Sequence, residues 1–350
     1  MKYESVENLK EEIFRELILK PDNPTSGQRH TAFGKRTSSH PRKSEGTLPI
    51  ALGICHTDTP NDFSLAVRIQ HPRVLENHVG IISEIARRAR GEVDIGILER
   101  LSIRSRFATS MPMTKRFRPL LIGSSIANQN VNAGSIGLFP WSKIHQKRVI
   151  LSCRHILEDM KGSGSSEIYQ PGPYGNGCNL DAIGSLLESS PIDFTGNTNH
   201  TDAAIAEIHE GISISDNSVC APFSKNKLKI LIIRKPPRST SLLKNKKKVY
   251  KIGRTTCLTS GYVKSEKVDR LEIDFDGKTA IFGRCMEIVG DRILRPFSAS
   301  GDSGSVVFDE DGVAFGLIFS GTALSTRMFR TDVTYANNLL DVFSHFQLEI

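Results

Sequence analysis

The chain has 350 residues, 38% hydrophobic and 24% charged, with a formal net charge of +8. This is ordinary composition for a soluble globular protein, with apolar content for two or three packed units. No stretch approaches the ~18 apolar residues of a membrane span, which excludes a helical membrane protein and any membrane partner.

The N-terminal MKYESVENLKEEIFRELILK lacks the unbroken apolar run of a secretory signal, so a cytoplasmic protein is expected. Val6, Leu9, Ile13 and Leu17 stand at helical spacing, which predicts a helix over 4–19. Residues 21–46 are rich in Ser, Thr, Arg, Lys, Pro and Gly and read as a linker, so 1–47 is helix plus linker. A small α/β segment is expected over 48–110. TLPIALGICH, FSLAVRIQ and EVDIGILERL read as strands. VLENHVGIISEIARRA reads as a helix with Val74, Val79, Ile82, Ile85 and Ala86 on one side and Gly91 at its C-cap. The segment is too small to stand alone, is expected to pack on the strands downstream of it, and offers a surface for homo-oligomers.

From about 117 the texture changes to short β-like runs separated by Gly, Asn, Ser and Pro, including RVILSCRHI, DAAIAEI, KKVYKIGRTT, SGSVVFD and GVAFGLIFSG. Many short strands with turn signals predict barrels or a sandwich. Asp309–Gly312 (DEDG) is a hairpin signal, and NNLLDVFSHFQL predicts a terminal helix. Between Lys225 and Lys251 there are many Lys and Arg and no acid. The run suits either a solvated loop or an acidic partner, and its stretch SKNKLKILIIRKPPRSTSLLKNKKK lacks stacking aromatics.

The six cysteines are Cys55, Cys153, Cys178, Cys220, Cys257 and Cys285, with no C-x-x-C pair, so neither a zinc site nor a redox dithiol is expected. Reduced thiols are the plain reading without an export signal, although sequence alone leaves disulfides open. No metal and no cofactor is expected.

Acyl transfer by serine needs an exposed hydroxyl, a histidine to take its proton, a carboxylate to hold that histidine, and N–H groups for the oxyanion. His155 leaves the apolar run VILSC, Asp202 abuts AAIAEI, and Ser303 lies in SASGDSGSVVF. Each residue alone reads as a surface histidine, a strand cap or a turn. Together they place His and Asp in the first run of strands and Ser in the second, so loops of two facing barrels would meet at a cleft. Glycine at 301 and 304 lets the loop turn tightly with N–H groups inward, which makes the N–H groups of Gly301 and Ser303 the candidate oxyanion donors.

GDSGS followed by VVF and GVAFGLIFSG resembles the nucleophile loop of chymotrypsin-fold (trypsin-like) serine peptidases. LSCRHI and TDAAIA resemble that family's histidine and aspartate segments. The likeness covers about 115–335, and LIGSSIANQNVNAGSIGLF resembles more narrowly the intracellular plant narrow-leaf-1 type and its bacterial relatives. It implies a mainly β fold of two six-stranded antiparallel barrels, the first over 111–222 and the second over 223–350 with the C-terminal helix. It also implies a serine endopeptidase with Ser303 as nucleophile, His155 as general base and acid, and Asp202 as its orienting partner. By the same likeness Phe297 stands near the floor of the specificity pocket, where no acid supports a basic preference, and a small or apolar residue before the cut is expected. Phe319, Ser320 and Gly321 would pair with substrate backbone. Ser305 and Val306 depart from the family's glycine and proline. An α/β-hydrolase is excluded, because Ser305 stands where G-x-S-x-G needs glycine. Cys153, two residues before His155, is expected to pack in the core rather than act as a nucleophile. A catalytically silent or partner-activated binding protein on the same fold is the alternative.

Overall fold

The computed structural model describes residues 1–19, 48–59, 61–71, 73–102, 112–131, 133–160, 162, 165–173, 181–224, 227–233, 248–291, 296–326 and 330–350. The expected linker at 21–46 and most of the basic run lie outside these residues. Among the described residues no helix is long and apolar enough to cross a membrane.

The N-terminal helix forms over Tyr3–Ile13 and continues as one wider turn over Phe14–Ile18. Val6, Ile13 and Ile18 are fully buried, and the helix packs on the first two of three strands. These are β1 (Ile50–His56), β2 (Phe63–Ile69) and β3 (Val93–Leu98). β1 and β2 pair antiparallel, β2 and β3 parallel. β1 and β2 are covered on both faces, which is why they read as nearly continuous apolar runs. Between β2 and β3 the expected single helix is two, Arg73–Asn77 and Val79–Arg88, broken at His78 (φ −133°, ψ 33°). The break leaves Val79 58% exposed while Val74, Ile82 and Ile85 go to the core. Gly91 is at φ +78° and donates its N–H to Ala86 O (2.9 Å), closing the helix just beyond Ala89.

The α/β segment does not pack on the strands next to it in sequence. It joins a nine-stranded sheet with strands from the C-terminal half. Six strands of that sheet, Lys248–Gly253, Cys257–Asp269, Cys285–Gly290, Val306–Phe308, Ala314–Ser325 and Arg330–Asn338, pair in a closed ring. β1 pairs with Cys257–Asp269 and β3 with Ala314–Ser325, so β1–β3 bridge two strands of the ring. In the space so enclosed, Arg68 is fully buried and donates to Glu287 through Nε (2.8 Å) and Nη2 (2.7 Å). Tyr335 Oη (2.6 Å) and Ser265 Oγ (3.2 Å) also donate to Glu287, and Arg68 reaches Asp94 (2.7 Å). Burial alone would raise the Glu287 pKa, but the Arg68 guanidinium more than offsets it and holds the carboxyl below the usual range.

The first half forms an eight-stranded sheet, including Ser125–Asn128, Lys147–Ser152, Ala182–Ser189 and Ala204–Ile208. Its strand order does not close among the described residues, and β1–β3 join the ring of the second half, so the expected pair of six-stranded barrels is not cleanly resolved. The DEDG hairpin is present. Asp309 donates its N–H to Val313 O (3.0 Å), and Gly312 is at φ +76°. The terminal helix runs Leu339–His345, capped by Asn338 Oδ1, which accepts from the Leu340 N–H (3.0 Å). A final short strand, Leu348–Glu349, pairs with Trp141–Ser142 and ties the C-terminus to the first half.

Candidate active site

His155 sits in a four-residue helical turn, Arg154–Leu157, directly after the strand Lys147–Ser152. Asp202 precedes Ala204–Ile208, the neighbour of that strand in the sheet. The pairing of Ala204 with Ser152 therefore sets the two side chains together. His155 Nδ1 lies 2.5 Å from Asp202 Oδ2, and the His155 N–H donates to Asp202 Oδ1 (3.2 Å). Asp202 is fully buried and His155 is 6% exposed. Asn337, from the other half of the chain, clamps the Asp202 backbone. Its Oδ1 accepts from the Asp202 N–H (3.3 Å) and its Nδ2 donates to the Asp202 carbonyl (3.5 Å). With Nδ1 on the carboxylate, His155 Nε2 is the free nitrogen, and it is buried with no hydrogen-bond partner among the described residues.

Ser303 is half-buried, at the bottom of a loop with Gly301 at φ +94° and Gly304 at φ +90°. Both angles are strained for any residue with a Cβ. Among the described residues the N–H groups of Gly301 and Ser303 have no acceptor, as oxyanion donors require. The loop is held from the first half: the Ser135 N–H donates to Ser303 O (2.8 Å) and Ser135 Oγ to Gly301 O (3.0 Å). Gly134 lies against both loops. A side chain there would meet Ile156 at 2.6 Å and Ser303 O at 2.7 Å. The structure thus brings the His155 turn and the Ser303 loop to one place.

Asp302 turns away from the cleft. Its carboxylate accepts from Lys251 Nζ (3.1 Å), the Thr255 N–H (2.8 Å), Thr256 Oγ1 (2.6 Å) and the Ala299 N–H (3.0 Å). Lys251 and Asp302 are both fully buried. Lys251 therefore does not belong to the basic run whose end it marks in sequence; Lys248, three residues earlier, is 41% exposed and pairs with Asp291.

Cys153 Sγ, His155 and Asp202 have donor atoms within 4.8 Å of one another. The set does not fit a metal well. The Cys153 thiol donates to Ile318 O (3.0 Å), and burial pushes its pKa up, away from the thiolate a metal would take. The expectation that Cys153 packs in the core holds. Cys55, Cys153, Cys257 and Cys285 are free thiols, whereas Cys178 and the Cys220 side chain lie outside the described residues.

A cavity of about 370 Å³ opens beside Ser303, lined among others by Ser298, Ser300, Ser320, Gly321 and Val333. Phe297 is not at its floor. It is 1% exposed, packs in the apolar core, and accepts through its carbonyl from Thr259 Oγ1 (2.6 Å). The next residue, Ser298, lines the cavity and bonds Thr334 Oγ1 (2.7 Å), in a lining that carries several hydroxyls and one aromatic, Phe319. Phe319 is buried in the cavity wall, its ring tilted at 40° to that of Phe282 with centroids 4.9 Å apart. Ser305 is buried with its Oγ unpartnered, and Val306 begins the strand Val306–Phe308; nothing in the structure explains the serine.

Four contributors had no local signal in sequence: Lys251, Ser135, Asn337 and Phe275. Phe275, from the hairpin Leu271–Phe282, meets the His155 ring edge-to-face at 6.2 Å. No family model matches the chain, and no curated protein matches it. Among solved structures it is similar to protease A of Thermobifida fusca, at 14% identity over 65% of this chain and 96% of that one, with a TM-score of 0.43. It is similar to a glutamic-acid-specific serine protease that uses a histidine triad in substrate binding, at 16% identity over 66% of this chain and 100% of that one (TM-score 0.45). It is also similar to the chymotrypsin of Cellulomonas bogoriensis, at 15% identity over 66% and 97% of the two chains (TM-score 0.42).

Proposed function

We propose that the chain is a serine peptidase on a chymotrypsin-like fold, working through an acyl-enzyme. The observation that carries this is the buried His155–Asp202 pair, its Nε2 unpartnered among the described residues, with the His155 turn and a glycine-flanked serine loop meeting across Gly134. In this reading Nε2 takes the Ser303 proton as the hydroxyl attacks the carbonyl, and Asp202 holds the tautomer and stabilises the imidazolium. The N–H groups of Gly301 and Ser303 receive the oxyanion, each worth ~10²–10³ in rate. The imidazolium then protonates the leaving amine, and water hydrolyses the ester by the reverse sequence. The narrower likeness to the plant narrow-leaf-1 type rests on the stretch LIGSSIANQNVNAGSIGLF and the preceding α/β segment.

A second reading, a silent or partner-activated binding protein, is favoured by one observation: no hydrogen bond joins Ser303 to His155. Catalytic hydrogen bonds in free enzymes are often long and tighten only around substrate, which favours the peptidase. A cytoplasmic location, an acidic partner for 225–251 and self-association through the α/β segment belong to this proposal. Incubating the wild type and Ser303→Ala with a denatured-protein mixture and sequencing new N-termini tests it. New termini from the wild type alone support the peptidase; none from either supports the binding protein.

A further inference from the structure

The strand Ala314–Ser325 carries Phe319, Ser320 and Gly321, the edge along which a substrate would pair. Part of that edge is already occupied by the chain itself. β3 pairs antiparallel with it, Ile97 opposite Ser325 and Leu98 opposite Leu324. The Glu99 N–H continues the ladder to Ala323 O (3.0 Å), and Ser102 stands antiparallel to Gly321. On its other edge Ser102 is opposite Asp274, whose N–H donates to Leu101 O (3.0 Å). Arg100 also pairs with the Asp274 carboxylate (2.9 Å), and Leu101 is 3% exposed in the core. Residues 99–102 are thus bonded on both sides and anchored beneath.

The register says what is left. The Gly304 N–H donates to Ile318 O (2.7 Å), so the nucleophile loop abuts the strand one residue before Phe319. A peptide pairing antiparallel with this strand, its scissile carbonyl at Ser303, sets its last residue before the cut opposite Phe319. Its third residue back would stand opposite Gly321, which faces Ser102. Among the described residues, nothing stands opposite the edge for the two residues next to the cut. At the closed end, Asp332 lines the same cavity and has no ion-pair partner among the described residues, which suits a free α-ammonium group.

We propose that Glu99–Ser102 is a built-in stop on the upstream side of the groove, making this a peptidase that releases dipeptides from free N-termini. The inference rests on the peptidase reading and narrows it from cleavage at internal bonds. The test uses the full chain on a proteome-derived peptide library with free or acetylated N-termini, read by mass spectrometry. Amide hydrogen exchange at Glu99 and Asp274, whose N–H groups fix this strand on its two edges, is measured in parallel. Dipeptide release from free termini and protected amides are expected. Glu99→Pro removes the N–H that bonds Ala323 O, and it should raise cleavage at internal bonds about tenfold. Internal bonds cut as fast as the second bond overturn the proposal. So does cleavage that begins only after the chain is cut before Leu101, which would mark an inhibitory strand. If nothing is cut, the peptidase reading fails, and exchange still judges the strand: protection upholds its place, and free exchange overturns it.

Discussion

Lys251→Met is the most informative single change outside the triad. It keeps the length and most of the volume of the side chain and removes the ammonium. Lys251 and Asp302 are both fully buried, so the change leaves a carboxylate without its cation in a dry site. Breaking a buried pair from one side costs about 3–5 kcal/mol. The Asp302 carboxylate keeps its bonds from Thr255, Thr256 and Ala299, which puts the loss near the low end, about 3 kcal/mol. For a chain of 350 residues that is a drop of roughly 4 °C in the melting midpoint. Asp302 is joined to Ser303 through one peptide bond, so the same change loosens the loop that sets the Gly301 and Ser303 N–H groups. Fluorophosphonate labelling of Ser303 should slow at least about tenfold, the loss of part of one oxyanion donor. Lys248→Met is the control, because its pair with Asp291 is half-exposed and worth under about 1 kcal/mol. Adding Asp302→Asn to Lys251→Met removes the stranded charge and should restore much of the stability without restoring the labelling rate. Unchanged melting and labelling in Lys251→Met would refute the reasoning.

Two further predictions concern buried groups. Glu287 has its folded pKa below the ordinary carboxylate value, so its contribution is fully present above that value, ~4.3, and is lost as pH falls through the lowered one. Melting midpoints should therefore be steady from about pH 5 to 7 and fall in acid, with a shallower acid slope in Glu287→Gln. An identical slope in both would remove Arg68–Glu287 from the account. Burial pushes the thiols of Cys153 and Cys285 well up, while Cys257 is part-exposed. Maleimide at neutral pH followed by peptide mapping should find Cys257 modified well ahead of both, and rapid modification of Cys153 in the folded protein would contradict its buried place beside His155.

What the sequence announced was local. VILSC just before His155, AAIAEI just after Asp202 and the glycines around Ser303 each carry their geometry within a few residues. The DEDG turn and the Asn338-capped terminal helix do likewise. What it hid depends on partners far along the chain. Lys251 reads as the tail of a basic run because its partner lies 51 residues on. Phe297 occupies the expected distance from the nucleophile, but in an extended segment a one-residue difference exchanges faces, so Ser298 takes the cavity and Phe297 the core. β1–β3 are expected to pack downstream, but apolar runs tell that a strand is covered and not which strand covers it. Their partners lie about two hundred residues downstream.

The central claim is that His155 activates Ser303, and intact-protein mass after exposure to a fluorophosphonate tests it most directly, with the adduct located by peptide mapping. The account predicts one adduct per wild-type chain, on Ser303, none in Ser303→Ala, and labelling slowed by orders of magnitude in His155→Ala. A wild-type chain that stays unmodified, or one whose adduct forms equally fast without His155, would contradict it.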